Sequence, residues 1–129
     1  MRLMSGSGLA AFALCLAGCL TSADDPPQVI TGALLIDGTV RPPVPDAVVI
    51  VSRGRIRAMG PRTEVPVPEQ GRLIEARGRI LFPADPAQPL RVGSDANLLL
   101  LSVNPAVDPD YLKYVTGRMQ NGRWVQYPQ

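Results

Sequence analysis

The side chains able to do chemistry are few and scattered. Carboxylates pair at Asp24-Asp25 and again at Asp108 and Asp110, hydroxyls stand at Ser52, Ser94 and Ser102, and the one lysine is Lys113. Histidine is absent from all 129 residues. General acid–base catalysis needs a proton carrier held in a cleft with its pKa tuned toward neutrality, whereas these acids sit in a Pro-rich segment or flank turns. The serines lack an imidazole to activate them, and Lys113 has no neighbour to make it a base. Gly-x-Gly pairs occur without a following helix, so they mark turns rather than phosphate loops. The residues nominate no catalytic, metal-binding or cofactor-binding position.

The N-terminus carries the sharper signal. Arg2 precedes an apolar, alanine-rich run from Leu9 to Ala17, the layout of a secretory leader. That run falls short of the ~20 residues a membrane-crossing helix needs. Leu16-Ala17-Gly18-Cys19 resembles a bacterial lipobox. The resemblance implies a signal peptide over residues 1–18, cut before Cys19, whose thiol carries diacylglycerol. Leu20 in place of Asp implies sorting to the outer membrane, with the domain in the periplasm. Cys15 then leaves with the leader and Cys19 is consumed, so no thiol remains for a disulfide, metal or nucleophile. With 13 Lys and Arg against 11 Asp and Glu, the field is too weak to gather nucleic acid.

Residues 19–28 are polar, include Pro26-Pro27, and read as a flexible tether. Beyond them, short β-branched or leucine-rich runs alternate with Gly and Pro, the pattern of an all-β domain over residues 29–127. Strands are expected near 29–36, 47–52, 55–59, 72–75, 79–82, 97–102, 115–120 and 123–127. The fold class is thus a small β-sandwich of about eight short strands, with at most one short helix near 109–114, started by Asp108-Pro109. Arg53-Gly54 and Asn121-Gly122 read as two-residue hairpin turns, and the second places Gln120 opposite Arg123 and Met119 opposite Trp124. VVIVS and NLLLL are apolar on both faces, so something must cover both sides of those strands.

The stretch ALLIDGTVRPPVPDAVVIVSRGRIRAMGPRTEVPVPEQGRLIEARGRILFP resembles the N-terminal segment of amidohydrolase-superfamily enzymes. GSDANLLLLSVNPAVDP and VTGRMQNGRWV resemble the segment that follows their catalytic barrel. The resemblance implies that both segments form one small composite β-sandwich from which the barrel is missing. It also implies metal-dependent hydrolysis, but in such enzymes a run of histidine ligands follows the strand matching Leu81-Phe82-Pro83. Here Ala84-Asp85-Pro86 follows. No site residue is carried over, and no cofactor is expected.

Two further features stand out. Pro83, Pro86 and Pro89 recur at period three, which favours an extended, polyproline-like bridge between the two segments. Arg53, Arg55 and Arg57 alternate around a hairpin, with Arg41, Arg62, Arg72, Arg77 and Arg79 elsewhere, and read mainly as a solvated sheet face. The expectation is a lipid-anchored, non-catalytic envelope module that meets the membrane through its anchor and a second copy or protein partner through the face that once met a barrel. The alternatives are a truncated hydrolase acting on carbon–nitrogen bonds and a relic without function.

Overall fold

The computed structural model describes residues 25–129. Eight strands form one sheet: β1 (Gln28–Leu35), β2 (Val44–Ser52), β3 (Arg55–Pro61), β4 (Arg72–Glu75), β5 (Ile80–Pro83), β6 (Leu98–Leu101), β7 (Val115–Gln120) and β8 (Arg123–Gln126). Their hydrogen-bonded order is β3-β2-β1-β5-β6-β7-β8, with β4 also paired to β1. The expected all-β class and the eight strands are present, each within about three residues of its expected bounds. The two layers of the sandwich are the two arms of this one continuous sheet, which curls until β2 and β3 share a core with β6 and β7.

Gly32 makes the curl possible. Residues Gln28–Thr31 of β1 pair in parallel with β4, and Leu34–Leu35 pair in parallel with β5, so β1 changes partner at Gly32. The register with β2 also shifts there. Gly32 has φ +91, and a Cβ on it would stand 2.7 Å from Glu75 Oε1 and 3.2 Å from the Arg77 nitrogen. Only a residue without a side chain permits this bulge beside such close backbone.

The main core gathers Ile30, Leu35, Val49, Val51, Ile56, Ile74, Leu81, Leu98, Leu100 and Met119 from both arms. The two-sided strands are covered from within the chain. Val48, on the outer side of β2, is buried with Val29 beneath Val65 of the loop between β3 and β4. Leu99 and Leu101 on the outer side of β6 are also fully buried. The 3₁₀ helix Tyr111–Tyr114 packs against β6, and Tyr111 meets Phe82 edge-to-face at 5.3 Å.

That 3₁₀ helix is the helical element expected near residues 109–114, but its start differs. Its N-cap is Asp110, without a side-chain capping bond. Asp108 Oδ1 accepts the Asp110 N–H at 2.9 Å, closing a local turn instead of starting a helix. The hairpin turns follow their sequences more closely. Arg53, Gly54, Asn121 and Gly122 all have positive φ, as a type I′ turn demands, and Gln120 faces Arg123 and Met119 faces Trp124.

Candidate functional site

The connector between β5 and β6 is folded, which corrects the expectation of an extended bridge. Asp85 organises its first turn, accepting the Gln88 N–H on its carbonyl at 2.8 Å and the Ala87 N–H on Oδ1 at 2.9 Å. The Leu90 N–H then bonds to the Asp37 carbonyl at 2.8 Å, and the Leu90 side chain enters the main core. Further along, the Gly93 N–H donates to the Ile56 carbonyl and the Ile56 N–H to the Ser94 carbonyl. Backbone groups that need partners outweigh the polyproline preference of three prolines, because a connector lying against the sheet must satisfy its buried N–H groups.

Two grooves flank Leu90. One, of about 440 Å³, is lined by Arg55, Asp85, Gln88, Ser94, Asp95 and Asn97 together with Pro89 and Leu90. The other, of about 500 Å³, is lined by Asp37, Thr39, Val40, Arg41, Leu90, Arg91 and Val92. Much of their polar lining is already committed. Arg55 Nη1 donates to the Gly93 carbonyl at 2.9 Å and stands 4.0 Å from Asp95. Asn97 Oδ1 accepts the Asn121 N–H, and Asp37 Oδ1 accepts both the Thr39 N–H and hydroxyl.

The sequence candidates are not brought together. Cys19, the proposed lipid site, and Asp24 lie outside the described residues, as do the expected signal peptide and most of the expected tether. Asp25 lines a small hollow at the start of the fold. Asp110 pairs with Lys113 at 2.9 Å, on the exposed loop that also carries Asp108. Asp108 beside the Tyr114 hydroxyl pushes that phenol above its ordinary pKa by charge repulsion and by hydrogen bonding. Ser94 Oγ donates to the Arg91 carbonyl at 2.8 Å and accepts the Arg91 N–H, a local turn rather than an activated nucleophile. Ser52 lies at the end of β2 and Ser102 just beyond β6.

The arginines divide. Arg62 grips Asp46 with a two-pronged contact, its Nη2 at 2.9 Å from Oδ1 and its Nε at 3.0 Å from Oδ2. This hydrogen bonding holds the Asp46 carboxyl below the usual carboxylate range. Arg79 Nη2 donates to the Gln129 carbonyl, and Arg57 Nε to the Ser52 carbonyl. The alternating stripe is thus not one uniform face, since Arg55 is tied to the connector while Arg53 sits in the turn.

The metal implied by the amidohydrolase resemblance does not fit the donors present. The chain has no histidine, and among the described residues no group of three or more His, Cys, Asp or Glu could hold an ion. Hydrolytic metal centres draw on several such ligands around an open position. Sequence reasoning missed Leu90 as a core residue, and the one signal for it was a lone leucine in a polar, Pro-rich segment.

No protein-family model and no curated protein matches the chain. Solved structures do show partial likeness. A molinate hydrolase matches at 34% identity and TM-score 0.41 over 46% of this chain and 13% of its own. Phenylurea hydrolase B matches at 34% identity and TM-score 0.42 over 45% and 13%. An N-acyl-D-glutamate deacylase from Bordetella bronchiseptica, complexed with zinc and a phosphonate inhibitor, matches at 33% identity and TM-score 0.36 over 46% and 12%. These neighbours are amidohydrolase-superfamily enzymes. The likeness covers under half of this chain and about one eighth of theirs, and by itself it assigns no activity.

Proposed function

We propose that this chain is a lipid-anchored, non-catalytic module of the bacterial cell envelope, a composite β-sandwich derived from an amidohydrolase and held at the outer membrane through Cys19. The observation that carries the non-catalytic reading is the donor set. A chain without histidine, whose described acids are spread over turns and ion pairs, offers among its described residues no cradle for a hydrolytic metal and no proton carrier in a cleft. The folded connector supports the same reading, since it joins β5 to β6 through bonds to Asp37 and Ile56 and closes the core with Leu90. The lipobox-like Leu16-Ala17-Gly18-Cys19 supports the anchor.

The module works by binding. Val40 is fully exposed and Val92 61% exposed beside Arg41 and Arg91, apolar ground on which a second copy or a protein partner seats. The outer faces of β2 and β6 need no such cover. Protein purified from envelopes is expected to carry diacylglycerol on Cys19 by mass spectrometry, to hold no stoichiometric zinc or iron, and to turn over no amide or ester. Chelator-sensitive amidase activity would overturn the reading in favour of a truncated hydrolase. A free Cys19 thiol overturns the anchor, and light scattering that shows only monomer at high concentration overturns self-association.

A further inference from the structure

The two hairpin turns meet where the chain enters the fold. A Cβ on Gly122 would stand 2.6 Å from the Gly54 Cα, and Gln28 Nε2 donates to the Gly122 carbonyl at 2.7 Å. Around this junction lies a hollow of about 190 Å³, lined by Arg53 of the first turn, by Arg123 at the start of β8, by Ser52 and Gln28, and by Asp25. Arg53 and Arg123 are exposed, and neither has a hydrogen-bond or ion-pair partner among the described residues. Arg57 reaches the Ser52 carbonyl with Nε. Two guanidinium groups, those of Arg53 and Arg123, therefore line the hollow with one carboxylate, Asp25, and a third, that of Arg57, is bonded to the Ser52 carbonyl at its edge.

The position of this hollow on the chain identifies its occupant. Asp25 is six residues after Cys19, so a fully extended segment places the hollow within roughly 22 Å of a lipidated Cys19. We infer that this end of the domain is a docking face for the phosphates of an anionic lipid surface, formed by Arg53 and Arg123 with Arg57 beside them. The inference rests on the anchor reading above. Guanidinium forks match phosphate oxygens in geometry and charge, and a diacylglycerol anchor adds to their own attraction by raising their concentration at the surface. Docking through both turns fixes the orientation of the domain on the surface.

The test uses residues 25–129, which contain every strand pairing and the whole core described above. Vesicles of phosphatidylcholine containing phosphatidylglycerol are expected to co-sediment the domain, whereas vesicles of phosphatidylcholine alone leave it in solution. Added salt weakens the interaction because exposed charges are screened beyond about 10 Å at 0.1 M. A basic side chain near an anionic surface contributes about 1 kcal/mol, so Arg53→Gln with Arg123→Gln weakens binding roughly 25-fold. The matched pair Arg41→Gln with Arg91→Gln keeps the same net charge and is expected to bind as the parent does. Equal losses from the two pairs would overturn the docking face in favour of undirected charge, as would absence of binding to the anionic vesicles. Inorganic phosphate binding that depends on Arg53 and Arg123 without vesicle binding would assign a free-phosphate site and also overturn it. Unchanged thermal melting of both double variants excludes unfolding as the cause, and the mass of Cys19 reads the anchor separately.

Discussion

Truncating Leu90 to alanine asks whether the connector is a built part of the fold. Leu90 is 2% exposed and packs in the main core, although it interrupts a segment of Pro, Gln, Arg and Asp. Removing a buried leucine side chain costs about 2–5 kcal/mol, more where the cavity cannot collapse. Grooves on both sides of Leu90 let the connector settle inward and water approach, which places the expected cost near the lower end, about 2.5 kcal/mol. An unfolding entropy of about 2.1 cal/mol/K per residue over residues 25–129 gives roughly 0.2 kcal/mol/K, hence a fall in Tm of about 11 °C. Val92→Ala, two residues on and 61% exposed, is the control and should stay within about 0.5 kcal/mol. Calorimetry or circular dichroism melts read both. A Leu90→Ala shift no larger than that of Val92→Ala would refute the reasoning and make the connector a loose strap.

Gly122→Ala brings a methyl group to 2.6 Å from the Gly54 Cα at φ +81, so both the contact and the backbone conformation oppose it. It is expected to cost more than 1 kcal/mol in chemical denaturation, while Gly93→Ala, with open space around its Cβ position, carries only the positive-φ penalty. The Tyr114 phenol, raised first by the charge of Asp108 and then by their hydrogen bond, should ionise above the ordinary tyrosine value in an ultraviolet titration. Because its folded pKa lies above the unfolded value, Tyr114 contributes stability that is present below the unfolded pKa and is lost as pH rises through the folded one. Asp108→Asn should bring its titration back toward the ordinary tyrosine value.

Much of the sheet was legible in the residues. Asn121-Gly122 determined a register that the fold keeps, because a two-residue turn with two positive φ angles leaves one alignment for Met119 and Trp124. The runs VVIVS and NLLLL foretold strands apolar on both faces, yet left open what lies over them. Val65 and the 3₁₀ helix are the answer, and both come from loops whose own sequences show no periodicity. The grooves beside Leu90 were not legible, since residue types are read directly from sequence whereas the packing that shapes a groove is not.

By itself, the sequence determined the strand set, the two hairpins, the lack of a histidine-based metal centre and the lipobox-like start, all consequences of local composition and spacing. Tertiary structure alone decided that the connector folds back through Asp37 and Ile56, that Leu90 is a core residue, and that Arg53 and Arg123, 70 residues apart in sequence, line one hollow. The physical reason is the curl of the sheet at Gly32. Backbone pairing over long separations brings distant turns into contact, and no local pattern of side chains records which distant turn a chain will meet.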